Sequence, residues 1–118
     1  IELLVVVAII GILSAVGVVY YSGYKESAEK KQAEITLNSI YLAEQEYKSN
    51  NGEYYFNSST SNLVNNLFDG VDDLSEQAFT FSTTNANTLT ITATKKSDSN
   101  CRISITQTNK KPNTTSAC

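Results

Sequence analysis

The sequence has no histidine, no methionine and no tryptophan, and only one proline and two cysteines in 118 residues. Without histidine it lacks the commonest zinc ligand and the usual general base, and two cysteines are too few for a four-thiolate metal site. It also has no glycine-rich phosphate loop, and no serine or cysteine beside a base. These absences argue against an enzyme, and we expect neither catalytic residues nor a cofactor. The length is that of one ordinary domain.

Hydrophobic residues are concentrated in one long run near the start of the chain. Leu3–Tyr21 is nineteen residues without a charged side chain, mostly leucine, isoleucine, valine and alanine. As an α-helix it would be about 28 Å long, close to the ~30 Å hydrocarbon core of a bilayer. An acid, Glu2, precedes the run where a cleavable signal peptide would have a basic region. We therefore interpret the run as a membrane-spanning or bundle-forming segment.

The helical pattern continues beyond the apolar run. Residues 25–50 are rich in glutamate, lysine, glutamine, alanine and leucine, which are strong helix formers. Helical spacing gathers a set of apolar side chains on one face, as expected for packing on a sheet: Ala33, Leu37, Ile40, Tyr41 and Tyr47. A second stripe lies opposite, and is either a few scattered exposed aliphatics or a contact with neighbouring subunits: Ala28, Ile35 and Leu42. Asn50-Asn51-Gly52 is predicted to end the helix.

The last third of the chain changes to a period of two. Apolar residues alternate with threonine and serine in three stretches between 79 and 106, as in half-buried antiparallel strands. The predicted turns between them are Asn85-Ala86-Asn87 and Ser97-Asp98-Ser99-Asn100. A short helical turn is predicted at 61–68. We therefore predict an α+β fold, in which one N-terminal helix (about 1–49) packs with its distal half on a C-terminal antiparallel sheet of three to four strands.

The first thirteen residues carry a specific resemblance. Ile1-Glu2-Leu3-Leu4-Val5-Val6-Val7-Ala8-Ile9-Ile10-Gly11-Ile12-Leu13 resembles the N-terminal segment of type IV pilins and the related pseudopilins. In that family the mature chain opens Phe-Thr-Leu-Ile-Glu after cleavage by a prepilin peptidase, and its first residue is N-methylated. Tyr47–Gly52 also resembles the family's exit from the long helix. Ile1 corresponds to the family's fourth residue, so we expect three residues to precede it, and Val19 stands where many pilins have a proline.

The resemblance implies a structural subunit that polymerises with itself into an extracellular type IV pilus on the bacterial surface, serving adhesion, twitching motility or DNA uptake. Before assembly such a subunit is anchored in the inner membrane and handled by the prepilin peptidase and the pilus assembly machinery. Two alternatives stay open. One is a pseudopilin of type II secretion or a minor pilin, and the other is a monomeric membrane-anchored binding domain.

The implied organisation has two parts. Residues 1–24 would form the hydrophobic helix half, which is the membrane anchor and later the filament core. Residues 25–118 would form the globular headgroup. Its expected divisions are an amphipathic helix half (25–50), a variable loop (51–78), an antiparallel sheet (79–108) and a C-terminal loop bounded by a disulfide (101–118).

Two features of the apolar run are predicted to serve assembly. Glu2 is an acid in an apolar environment, which is costly and marks either a function or a hydrated position at the membrane boundary. The resemblance implies that Glu2 pairs with the N-terminal amine of an adjacent subunit. Gly11, Ser14 and Gly17 weaken the helix around them. We predict that this helix-melting segment, within 11–19, departs from regular helix in the assembled filament, as known pilins do at the corresponding positions.

Cys101 and Cys118 are the only thiols. The apolar run would place them outside the cytoplasm, where two cysteines are expected to form a disulfide. Pilins often bound a C-terminal surface loop in this way, so the resemblance implies the same pairing.

Charge is segregated along the chain. Residues 1–78 have four lysines against eleven acids, whereas residues 79–118 have five basic residues against one acid. The basic part could be a patch for DNA, a surface complementary to a stacked subunit, or a solvated surface. The candidate patch residues are Lys95, Lys96, Lys110 and Lys111.

The acidic loop Asp69-Gly70-Val71-Asp72-Asp73 offers carboxylates of the kind that hold calcium. Related pseudopilins can bind calcium in this general region. The spacing of Asp69, Asp72 and Asp73 does not match an EF-hand loop, so we predict no metal site here.

Overall fold

The computed structural model describes residues 1–71, 74–84 and 88–118. Within these residues a long N-terminal helix and a four-stranded antiparallel sheet confirm the predicted α+β class. The elements in chain order are α1 (Glu2–Asn51), α2 (Thr60–Leu67), a 3-10 helix (Leu74–Glu76), β1 (Phe79–Thr84), β2 (Thr90–Lys95), β3 (Arg102–Thr106) and β4 (Asn113–Thr114).

The C-terminal end of α1 is set by a glycine. Gly52 has φ +85°, a left-handed conformation that costs glycine little, and its N–H donates to the carbonyl of Lys48 at 2.7 Å. The side-chain amide of Asn51 donates to the carbonyl of Tyr47 at 3.0 Å. The predicted stop at Asn50-Asn51-Gly52 is therefore confirmed, and the helix continues two residues beyond the expected 49.

The chain forms two compact units, Ile1–Lys30 and Lys31–Cys118, and α1 contributes residues to both. In the first unit every residue from 1 to 28 is exposed. The second unit has a hydrophobic core built from α1, α2 and the sheet.

The sheet has the strand order β1-β2-β3-β4, and neighbouring strands are antiparallel. Because side chains alternate between the two faces of a strand, one face collects the apolar residues. The buried members of this face are Phe79, Phe81, Ile91, Ala93, Ile103 and Ile105. The predicted period of two is thus confirmed in all three long strands.

The apolar face of α1 covers this side of the sheet. Ala33, Leu37 and Ile40 are at most 1 % exposed and belong to the same core cluster as the sheet residues. Burial of each large aliphatic side chain contributes roughly 1.5–3 kcal/mol. Tyr41 is half-buried against the cluster. The predicted core face is therefore confirmed for these four residues, whereas Tyr47 lies outside the cluster with its ring 5.5 Å from the Tyr55 ring.

Smaller elements complete the second unit. The predicted helical turn at 61–68 is α2, which buries Leu63, and the 3-10 helix buries Leu74. The turn before β3 is confirmed, since Cys101 N–H donates to the carbonyl of Asp98 and Asn100 N–H to its carboxylate, both at 3.0 Å. The other predicted turn, Asn85-Ala86-Asn87, lies outside the described residues.

Candidate assembly surface

Glu2 lies in the first turn of α1, where its side chain is exposed. A carboxylate at this position is favoured by the positive end of the helix dipole. Among the described residues no ion pair of Glu2 is seen within the single chain. The side chain is thus available to a partner outside the chain, and the assembly role stays a prediction.

The apolar run is exposed along its whole length. All sixteen large apolar side chains of residues 1–24 are more than half exposed, including Leu3 at 77 % and Val19 at 72 %. The helix contains a window long and apolar enough to cross a membrane, and none of that window is buried within the chain. An apolar surface of this extent marks contact with a membrane or with protein.

The segment predicted to melt is regular helix in the single chain. Gly11, Ser14 and Gly17 all lie within the helical residues of α1. A Cβ atom added at Gly11 or Gly17 would meet no described atom within 4 Å apart from the adjacent residues and the nearby helix backbone, so packing in the described structure does not require a glycine there. The expected departure from helix concerns the assembled state and stays a prediction.

The second apolar stripe of α1 lies outside the core. Ile35 is 66 % exposed and Leu42 is 68 % exposed, whereas Leu37 and Ile40 on the same helix are fully buried. Ala28 is exposed as well. Within the described residues the stripe thus lies outside the core cluster and leaves a second exposed apolar surface on α1.

The disulfide expected from the sequence is formed. Cys101 and Cys118 are joined by an S–S bond of 2.02 Å, and Cys101 is buried at the start of β3. Thr115 binds the same region, because its hydroxyl accepts the N–H of Arg102 at 2.9 Å and donates to the carbonyl of Asn100 at 2.7 Å. The C-terminal tail is thus fixed to β3 by one covalent bond and a few hydrogen bonds.

The four lysines of the candidate basic patch lie at two places. Lys95 ends β2, and its N–H donates to the carbonyl of Cys101 just before β3. The ammonium of Lys96 donates to the carbonyl of Ser75. Lys110 follows the opposite end of β3, with its Nζ 5.0 Å from the centroid of the Tyr41 ring. Because β3 is five residues at about 3.3 Å each, roughly 16 Å of strand separates the two pairs. The strand pairing therefore does not gather the four lysines into one patch.

The acidic loop is only partly described. Asp69 is exposed and has φ +53°. Asp72 and Asp73 lie outside the described residues. Within the described ranges no group of three or more potential metal ligands comes together.

Sequence reasoning missed a buried carboxyl group on α1. Glu44 is 0 % exposed. Its Oε2 accepts the N–H of Tyr55 at 2.8 Å, while its Oε1 has no hydrogen-bond partner in the described part of the chain. Burial raises the pKa of Glu44 from 4.5 to about 7, and the hydrogen bond from Tyr55 partly opposes the rise. The signal was present in the sequence, because Glu44 is seven residues after Leu37 and four after Ile40, on the core face.

A second buried polar residue, Thr83 on β1, contacts the residues between α1 and α2, as Glu44 does. Its hydroxyl donates to the carbonyl of Tyr55 and accepts the N–H of Asn57, both at 3.0 Å. Nearer the other end of the packed helix, the hydroxyl of Thr36 donates to the side-chain carbonyl of Gln77 at 2.9 Å. These buried polar contacts fix the residues after α1 and those before β1 to the core.

Comparisons of the chain with models of protein families, with characterised proteins and with solved structures find no match. Function must therefore be inferred from the geometry of the chain and from its N-terminal motif.

Proposed function

We propose that this chain is a structural subunit, of the major pilin type, that polymerises through its N-terminal helix into an extracellular filament of the type IV pilus class. The observation that carries the proposal is the exposure of the apolar residues 1–24 in a chain whose residues 31–118 have a complete core of their own. Because residues 31–118 have their own core, that unit does not need residues 1–24 for its stability. Residues 1–24 therefore serve contacts outside the chain.

The energetics require that residues 1–24 be covered. Burial of one large aliphatic side chain is worth about 1.5–3 kcal/mol, so the thirteen exposed leucine, isoleucine and valine side chains of this segment represent tens of kcal/mol. Lipid would supply the cover while the subunit is anchored in the inner membrane. Outside the membrane, these side chains can be covered only by other apolar protein surfaces. Residues 1–24 of neighbouring copies would supply such surfaces in a repeating arrangement.

Two features favour a polymer over a permanent membrane anchor. Glu2 lies within an otherwise apolar helix end, where an acid is costly without a partner. An N-terminal amine of a neighbouring subunit is a suitable partner, as the resemblance to pilins implies. In addition, Ile35 and Leu42 are exposed on the part of α1 that packs on the sheet. A lone anchored domain would leave these side chains in water, whereas a filament would cover them.

The disulfide favours a pilin over a secretion pseudopilin and an extracytoplasmic location over a cytoplasmic one. Disulfides such as Cys101–Cys118 form and persist in oxidising compartments. The proposal assigns no catalytic role to any residue. Its partners are other copies of the chain, the inner membrane before assembly, and the prepilin peptidase and assembly machinery.

The proposal is tested by shearing cells that produce the chain and examining the released material by electron microscopy and mass spectrometry. We expect thin filaments whose dominant subunit is this chain, with a mass that accounts for an N-methylated terminus and an intact disulfide. A chain that stays with the membrane fraction, with none in the sheared filaments, would contradict the proposal and favour the monomeric anchored domain.

A further inference from the structure

The residues between α1 and α2 form a strap, residues 53–59, that crosses from the end of α1 to the edge of β1. At the helix end, the side-chain amide of Gln45 donates to the hydroxyl of Tyr54 at 3.1 Å. At the strand, the N–H of Thr83 donates to the carbonyl of Asn57 at 2.9 Å. The strap therefore occupies part of the hydrogen-bonding edge of β1, which would otherwise be open to pairing with another strand.

One residue in the strap, Tyr55, is held through both of its backbone polar groups by buried side chains. The N–H of Tyr55 donates to the carboxyl of Glu44 on α1, and the carbonyl of Tyr55 accepts the hydroxyl of Thr83 on β1. Glu44 and Thr83 are 0 % and 2 % exposed. The connection from α1 through the strap to β1 thus includes a carboxyl group whose second oxygen, Oε1, has no hydrogen-bond partner among the described residues.

Among the residues that the structure describes, no charged group compensates Glu44. On α1 the neighbouring charged residues are exposed, and the ammonium of Lys48 lies over the Tyr54 ring at 4.5 Å. On the strap the charged residue is Glu53, which is also exposed. The buried face of the sheet has only apolar residues and Thr83, and Lys110 after β3 lies over Tyr41. An ionised Glu44 would therefore be a buried charge with one hydrogen bond, which is costly.

We propose that Glu44 is a proton-controlled latch, whose protonated carboxyl holds the strap on α1 and whose ionisation releases the strap and uncovers the edge of β1 at Thr83. The strap is the part that moves because α1 and β1 are regular elements with their own hydrogen-bond ladders. Movement of residues 53–59 lets water reach the carboxylate without unfolding either element.

The direction of the pH dependence follows from the raised pKa. The closed state keeps the proton up to about pH 7, whereas an open, hydrated glutamate would lose it near 4.5. Closure is thus fully favoured below about pH 4.5, and the advantage is lost as the pH rises toward 7. From about pH 5.5 to about pH 8.5 the opening equilibrium should rise about 30-fold.

The test is amide hydrogen exchange of the full-length chain in detergent micelles, analysed as protection factors so that the intrinsic pH dependence of exchange is removed. We expect the protection of the Tyr55 amide to fall about 30-fold over this pH range while the amides of β2 keep theirs. In Glu44→Gln, which keeps an acceptor oxygen but cannot ionise, the protection of Tyr55 should stay constant. The matched control Glu53→Gln removes the exposed carboxylate of the strap and should behave like the wild type.

A direct titration covers the case in which Glu44→Gln does not fold. In wild-type chain labelled with 13C at glutamate, the carboxyl signal of Glu44 should titrate near pH 7. A titration near 4.5, constant protection of Tyr55 in the wild type, or a parallel loss at Tyr55 and in β2 would each overturn the latch.

Discussion

Removal of the Cys101–Cys118 disulfide is expected to release the C-terminal tail while leaving most of the second unit folded. The bond closes a loop with a sequence separation of 17. In the chain-entropy model a loop of this size contributes about 3 kcal/mol. Without the bond, β4 retains only two paired positions with β3, opposite Ile103 and Ser104. Replacement of both cysteines by alanine should therefore lower the free energy of unfolding by about 3 kcal/mol.

The assay is urea unfolding of the full-length chain in micelles, followed by tyrosine circular dichroism, together with amide exchange. Exchange protection should be lost at Thr115, whose N–H donates to the carbonyl of Arg102, and retained in β1 and β2. Ser116→Ala, an exposed change in the same tail, is the control and should alter neither quantity. A loss of stability below about 1 kcal/mol, or an equal loss of protection in β1 and at Thr115, would refute the reasoning.

Three further predictions concern assembly and the core. Glu2→Ala should lower filament yield, measured as sheared subunit, while circular dichroism shows a folded second unit; a wild-type yield would argue against Glu2 as the assembly residue. Gly17→Ala should stabilise α1 by about 1 kcal/mol and lower filament yield, whereas Gly23→Ala, equally unhindered, should not affect the yield; equal yields from both would count against local melting. Ile40→Ala should cost about 2–5 kcal/mol of stability because Ile40 is fully buried, whereas Ile35→Ala should leave stability unchanged and weaken the filament; the reverse pattern would contradict the assignment of the two helix faces.

Much of the fold could be predicted because its signals are local. The spacing of Leu37 and Ile40 identifies the buried face of α1, and Gly52 supplies the left-handed residue that ends the helix. The alternation in β1–β3 reflects the geometry of a strand that has one face in the core. Each of these properties is set by neighbours within a few residues.

The features that sequence analysis missed depend on partners far along the chain. Glu44 has helical spacing that places it in the core, but a glutamate is ordinarily read as exposed. Its burial depends on the N–H of Tyr55, which only the folded strap brings within 2.8 Å. Similarly, β4 is two residues without an alternating pattern, and its position follows from the disulfide and from Thr115.

The candidate functional residues also include some that sequence analysis could place and some that it could not. The disulfide was predictable, because the sequence has two cysteines, and if they form an intramolecular bond each has only one possible partner. The basic patch was not, because Lys95 and Lys110 are 15 residues apart in sequence and their separation depends on the direction of β3. The proposed role of Glu2 is inferred from the N-terminal motif, and the single chain supplies only its exposure.

The most direct test of the central claim is a density map of the filaments released by shearing, at a resolution that traces the helices. We predict that residues 1–24 of many copies form the interior of the filament and that residues 31–118 form its outer layer. Leu3–Ile10 and Tyr24–Ser49 should remain helical, with any departure from helix confined to 11–19. A map in which residues 1–24 lie on the outer surface, or in which the subunits contact one another through the sheet alone, would contradict the proposed function.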